Sequence, residues 1–370
     1  MKRITIVAGA RPNFVKVAPL IRAIEKADGA SYLLVYAGRE DDPTLEASIF
    51  DDLQMPRPTV FLGVDSTSLN EITSRVMAEF DALLDRQPTD VVIVVDDLAS
   101  TMAAAIVTKK RGLKLAHLVA GTRSFDMNMP KEVNRLVIDA LSDYLFTAGV
   151  KSNSVATREQ AEGAGTYMVG NILMDTLRFN HQRLKAPSCL PPLGEVAAPE
   201  ASVKAPSTYL VFTLNRKALL ADEAKLRQLL EAMIQAADGT PVIAPLRGRA
   251  YDVVSSLNTP LVEEHSTLNI INSLPYLEFG WLTAHAKGII TDSGNVAEEA
   301  TFNGVPCITL NSYTEHQETV SVGSNVLVGE DPQRLAEEVA RMVRGEWKRS
   351  ALPDRWDGRT AERIVQILMQ

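Results

Sequence analysis

The sequence predicts an α/β protein of two doubly wound, Rossmann-like domains in series. Three observations carry that expectation. At 370 residues the chain is too long for one ordinary core. Short β-branched runs alternate with helical stretches along its whole length, the pattern of parallel sheets crossed by helices. A proline-rich break, residues 185–206, divides the two halves, with five prolines and no clean period.

In the first half the runs lie at 4–6, 32–36, 91–95, 115–119 and 144–147; in the second they lie at 209–212, 242–243, 288–291 and 307–310. The run VVIVV at 91–95 is apolar at every position, which marks a strand covered by helices on both faces. The expected first domain is 1–170, followed by a connecting helix and linker at 171–206 and a second α/β domain at 207–354. A last helix, about 355–370, carries an apolar stripe (Ile364, Ile367, Leu368) that would pack back on the first domain. Two such domains are expected to take a ligand in the cleft where the carboxyl ends of both sheets meet.

Composition narrows the partners. Net charge is −8, which argues against non-specific nucleic-acid binding, so an anionic ligand needs a local cluster of Arg and Lys. Two cysteines, Cys189 and Cys307, make neither a disulfide framework nor a metal site. The opening MKRITIVAGARP breaks into Gly and Pro too early for a signal peptide, and no apolar run reaches membrane-spanning length. We therefore expect a cytoplasmic protein with no membrane partner, metal or cofactor.

The most telling segment is TDSGNVAEE, 291–299. It follows an apolar run and precedes an apolar-periodic stretch, reading as strand, tight Ser-Gly turn and helix start. Free N–H groups and the positive helix end then point at one spot that suits a phosphate, while a simple helix cap is the alternative. The first strand ends in GARPNFVKVAP, which lacks G-x-G-x-x-G, yet sets Arg11 and Lys16 near an anion site at the strand end. Asp96 and Asp97 end the most buried-looking strand, and His117 lies in the next. In the second half, Asn215-Arg216-Lys217 and Arg247-Gly248-Arg249 supply a local positive field, Phe279 offers aromatic surface, and Thr314-Glu315 follows the 307–310 run.

Together these segments resemble the non-hydrolysing UDP-N-acetylglucosamine 2-epimerases, whose fold is the GT-B-like pair of domains. The family's G-T-R-P-E-A-I-K-x-A-P is similar to GARPNFVKVAP, H-V-E-A-G-L-R-T to HLVAGTRS, and P-E-E-x-N-R to PKEVNR. V-G-N-x-x-x-D is intact at 169–175, T-D-S-G-G-x-x-E-E corresponds to TDSGNVAEE, and T-E-R-P-E to TEHQE. The resemblance implies loss of the C2 proton as UDP leaves C1, a glycal, and re-addition of UDP with a proton returned to the other face. It also implies a UDP-sugar ligand, with Arg11, Lys16, Ser293 and Gly294 as diphosphate cradle, Glu299 as ribose contact and Phe279 beside the uracil. A homodimer is implied only in the same way.

The acid/base set departs from the family. Asp97 is retained, but the two family glutamates are Val119 and Lys131; family histidines are Asn215 and Arg247; a Gln-His pair is Arg39-Glu40; and the glutamate after the opening Arg-Pro is Asn13. Candidate acid/base groups are therefore Asp97, His117 and Glu132, with Asp96 and Asp126 behind them. The expected function is a UDP-amino-sugar 2-epimerase. The alternatives are a hydrolysing or sugar-transferring variant on the same cradle, or a binding protein without turnover.

Overall fold

The computed structural model describes residues 1–188, 190, 209–258 and 267–370. Cys189 and most of the expected linker lie outside them. The described chain divides into two compact units, one of Met1–His181 with Asp354–Gln370 and one of Gln182–Pro353. Among the described residues no helix is long and apolar enough to cross a membrane.

The first unit holds a seven-stranded sheet: β1 (Lys2–Ala8), β2 (Ala30–Tyr36), β3 (Val60–Phe61), β4 (Val91–Val95), β5 (Lys114–Leu118), β6 (Tyr144–Thr147) and β7 (Gly165–Met168). Their order is β3-β2-β1-β4-β5-β6-β7, and every pairing is parallel. The second holds β8 (Leu210–Thr213), β9 (Val242–Leu246), β10 (Leu268–Asn272), β11 (Gly288–Thr291), β12 (Cys307–Thr309) and β13 (Asn325–Leu327), ordered β10-β9-β8-β11-β12-β13 and again parallel. Both units are doubly wound, the fold class expected.

Every residue of β4 is buried, because helices such as Leu69–Leu84 and Ala99–Lys110 close over the sheet. The strands that the apolar runs did not reveal are β3, β7, β10 and β13, and these are the four sheet edges. An edge strand is paired on one side and less covered, so its residues need not be uniformly apolar.

The winding creates one switch point per sheet. From β1 the chain turns one way to β2 and later returns to β4; from β8 it turns to β9 and returns to β11. Loops leaving the carboxyl ends of β1 and β4, and of β8 and β11, diverge there and leave a crevice. The segments Gly9–Asn13, 96–97, 214–216 and 292–294 sit at these two places.

The intact 169–175 motif has a structural role. Gly170 adopts φ 102, and a Cβ there would run into the Arg355 carbonyl. Asn171 accepts from Leu173 N at 3.0 Å and caps the helix Ile172–Asn180. Asp175 caps a different helix: it accepts from Thr360 N at 3.0 Å and Ala361 N at 2.8 Å, at the start of Thr360–Met369. Trp356 is buried nearby and donates to the Ala148 carbonyl at 3.0 Å. The motif is thus a seat for the returning C-terminal segment. We expect Asp175→Ala to lower the stability of this unit by about 1–3 kcal/mol. Urea unfolding followed by emission of Trp356, the tryptophan of this unit, measures the loss, and an unchanged midpoint would refute the seat.

Candidate functional site

In the first unit the turn after β1 is built by Asn13. Its Oδ1 accepts from Gly9 N at 2.8 Å and Ala10 N at 3.1 Å, and its Nδ2 donates to Asp96 Oδ2 at 2.8 Å. The other Asp96 oxygen takes the Lys16 ammonium at 2.6 Å. Lys16, expected in a diphosphate cradle, is therefore largely buried on a carboxylate of its own chain. Arg11 differs: its Nε is buried with no hydrogen-bond partner among the described residues, an orphan donor of the kind an anion satisfies.

Asp97 sits one residue on, under three cations. Arg135 reaches its Oδ2 through Nε at 2.8 Å and Nη2 at 2.6 Å, and Lys131 lies 3.4 Å from Oδ1. Burial pushes the Asp97 carboxyl up, but the charges of Lys131 and Arg135, the Arg135 hydrogen bond and the charge of Lys16 outweigh it and hold it below the usual range. Asp97 stays ionised. Lys131, at the position of a family glutamate, keeps a side chain 57% exposed.

The other two acid/base candidates are buried and bonded to partners of their own chain. His117 is 1% exposed, with Nδ1 at 2.5 Å from Asp139 Oδ1 and Nε2 at 3.1 Å from the Asp96 carbonyl. Asp139 also takes Gly121 N at 3.0 Å and Arg123 at 2.7 Å. Burial pushes Asp139 up, and the His117 ring with the Arg123 guanidinium brings it below its ordinary range. His117 is a core residue that fixes the loop after β4. Glu132, also 1% exposed, accepts from Ser124 N at 2.8 Å, Ser124 Oγ at 2.9 Å, Phe125 N at 3.0 Å and Arg135 Nη1 at 3.1 Å. Burial raises its carboxyl, and these donors more than offset that. It clamps a loop and has no open face.

Val119, at the other family glutamate position, adopts φ 73. A β-branched residue in the left-handed region costs on the order of 1–3 kcal/mol. Asp96 (φ 59) and Phe125 (φ 60) share that conformation, so three strained residues surround the ends of β4 and β5.

In the second unit Ser293 caps the helix Gly294–Asn303, its Oγ accepting from Val296 N at 3.5 Å. Gly294 and Asn295 are exposed, and a Cβ at Gly294 would meet nothing within 4 Å, so the helix start is open. Asp292 ties strands instead: it accepts from Asn215 N at 2.8 Å and Arg216 N at 2.5 Å. Arg216 reaches Asn311 at 2.9 Å, the Leu310 carbonyl at 2.9 Å and Glu330 at 2.6 Å, yet its buried Nε has no partner among the described residues. Asn215, Arg247 and Arg249 are exposed at neighbouring strand ends. Phe279 is half-buried against the core containing Ile243 and Leu282 and presents less free surface than expected. Thr314 and Glu315 lie on the loop after β12, where the Thr314 hydroxyl accepts from His316 N at 3.3 Å.

Glu299 is 7% exposed on the second turn of that helix, beside Glu298, which pairs with His316 at 3.3 Å. Burial and the neighbouring Glu298 raise its carboxyl to about 8, so it is protonated at neutral pH.

Sequence reasoning missed Arg135 and Asn311. Arg135 had a signal: with Lys131 and Glu132 it occupies i, i+4 and i, i+3 positions of the helix Pro130–Leu141, hence one face. Asn311 donates to the Asp292 carbonyl at 3.1 Å across two strand ends, a contact with no local signature.

A family model described as UDP-N-acetylglucosamine 2-epimerase matches residues 22–369. The chain belongs to the UDP-N-acetylglucosamine 2-epimerase family. It is 31% identical over 371 residues to the UDP-N-acetylglucosamine 2-epimerase of Methanocaldococcus jannaschii, covering 99% of this chain and 98% of that protein. It is also 31% identical over 332 residues to the UDP-2,3-diacetamido-2,3-dideoxy-D-glucuronate 2-epimerase of Pseudomonas aeruginosa, covering 89% and 88%. The crystal structure of the M. jannaschii enzyme in complex with UDP-GlcNAc and UDP is similar at a TM-score of 0.82, with 30% identity and 99% of each chain covered. The Neisseria meningitidis enzyme bound to UDP-GlcNAc matches at 0.85 with 21% identity over 100% of each chain, a likeness of fold.

The raised Glu299 makes a pH prediction. The unfolded chain loses that proton near 4.5 and the folded chain near 8, so its contribution is full below 4.5 and is lost as pH rises to about 8. We expect Glu299→Gln to be the more stable protein at pH 9, by about 5 kcal/mol, and the two to converge toward pH 4.5. Thermal unfolding across that range measures the difference; parallel curves would show that Glu299 ionises normally.

Proposed function

We propose that this protein is a UDP-amino-sugar 2-epimerase of the UDP-N-acetylglucosamine type in which Asp97 and Lys131 form the proton-transfer pair. The observation that carries this reading is their ion pair at 3.4 Å, because Lys131 is the exposed member and Asp97 the ionised one. The neighbouring groups are occupied: Asp96 by Asn13 and Lys16, Glu132 by the 124–125 loop, and His117 by Asp139.

In the reaction the Asp97 carboxylate takes the C2 proton. The C–H pair becomes the C1=C2 bond, and UDP departs with the C1–O pair. A carboxylate of low pKa is a weak base, so bond cleavage at C1 must run ahead of proton loss. Stabilising the departing diphosphate then supplies much of the rate. In the second unit the orphan donor of Arg216, the exposed Arg247 and the open helix start at Ser293-Gly294 suit that task. Glu299, protonated when empty, suits a ribose hydroxyl. Once Asp97 holds the C2 proton its charge and the ion pair are lost, and the exposed Lys131 side chain swings to the other face and protonates C2 while diphosphate re-adds at C1. Asp97 then passes its proton to the Lys131 amine, and the cycle closes with no net proton change.

A second reading, nucleotide-sugar binding without turnover, is favoured by Val119, which cannot move a proton. One experiment separates them. In D₂O, UDP-GlcNAc should gain deuterium at C2, because Lys131 exchanges with solvent. Asp97→Asn should slow this about 10²–10⁴-fold. Tight binding with no exchange would favour the second reading, and no binding would refute both.

A further inference from the structure

We propose that Phe125 is a specificity-determining platform for the sugar of the bound nucleotide sugar, and that Glu132 is the positioning residue that holds it in place. The inference rests on the functional reading above and adds a recognition element to it.

Phe125 is 70% exposed and Met127, two residues on, is also exposed. Solvent exposure of one large apolar side chain needs no explanation. This one has been built. Phe125 adopts φ 60, a conformation that a side chain with a Cβ occupies only when its surroundings impose it. The imposing group is the buried Glu132 carboxylate, with Oε1 accepting from Phe125 N at 3.0 Å and Oε2 from Ser124 N at 2.8 Å and Ser124 Oγ at 2.9 Å. Beyond the ring the loop is braced again: Asp126 N donates to Ser124 Oγ at 3.3 Å, Asp126 Oδ1 accepts from Asn128 N at 3.0 Å, and Met129 N donates to the Asp126 carbonyl at 3.0 Å. Strain and a buried charge are thus both used to turn an aromatic ring outward.

The same clamp is joined to the acid/base pair. Arg135 Nη1 meets Glu132 at 3.1 Å while its Nη2 meets Asp97 at 2.6 Å, and Lys131 directly precedes Glu132 in the helix. One guanidinium therefore fixes both the Phe125 backbone and the Asp97 carboxylate. A ring fixed relative to the proton-transfer groups can orient what they act on. The chemistry that fits it is the apolar C–H face of a pyranose ring or the methyl of a 2-acetamido group, both of which pack on aromatic faces. The nucleotide itself carries neither group.

Calorimetry on the full chain, with UDP and UDP-GlcNAc side by side, tests the inference. Because Phe125 is exposed, Phe125→Ala keeps the core intact. We expect it to weaken UDP-GlcNAc binding about tenfold with the UDP affinity unchanged, and Phe125→Trp to restore the sugar affinity. Glu132→Gln should reproduce the selective loss, as a higher KM with a smaller change in kcat. If wild-type protein binds both ligands and Phe125→Ala alters neither, or weakens both equally, the platform is refuted while the nucleotide-sugar reading stands. If wild-type protein binds neither, that reading fails first and the platform with it.

Discussion

One buried guanidinium governs the chemistry of the first unit. Arg135 is shielded from solvent and bonds two carboxylates, Asp97 and Glu132, from neighbouring turns of chain. It acts beside Lys131 on Asp97 and beside the Ser124 and Phe125 donors on Glu132, and breaking such a buried pair leaves an uncompensated ion at a cost of about 3–5 kcal/mol. The consequence is functional. Asp97 is kept ionised and immobile at the end of β4, and the 124–125 loop is fixed through Glu132. Beneath it a second chain, His117–Asp139–Arg123–Glu159, holds the loops after β4 and β5 in the same way. With these charges consumed in mutual compensation, Lys131 is the exposed partner left beside Asp97.

The second unit is organised differently. Its strand ends present an open helix start and exposed cations, with a protonated Glu299 buried on the second turn of the helix behind them. A chain of net charge −8 thus carries a local cluster of donors and positive charge at these strand ends, the kind of place that suits an anion. Where the first unit neutralises its charges internally, the second leaves them facing outward.

The central strands of both sheets were legible because burial on both faces demands uniform apolarity; the four edge strands were not, because an edge makes no such demand. The strand β9 shows a subtler limit. Its sequence reads as ending before Pro245, yet it continues to Leu246, because the proline lies beyond the residues paired to β8. At the site, Asp97, Arg11 and the 291–299 turn were visible as motif residues at strand ends. His117 and Glu132 were visible as residue types able to move protons, but a sequence does not reveal that both are saturated by partners 21–22 and 3–8 residues away. The left-handed backbone at Val119 and Phe125 was equally hidden, since neither residue type announces it.

The replacement of a family glutamate by Lys131 is where the account is most exposed. If Lys131 returns the proton to C2, then Lys131→Met should still eliminate UDP, with Asp97 accepting one proton, but should fail to complete re-addition. The direct measurement is a product analysis of that variant with UDP-GlcNAc at high enzyme concentration. We expect free UDP and the unsaturated 2-acetamido glycal to accumulate in equal amounts, with little epimer. Normal epimer formation without glycal would contradict the central claim and place the second proton-transfer group elsewhere.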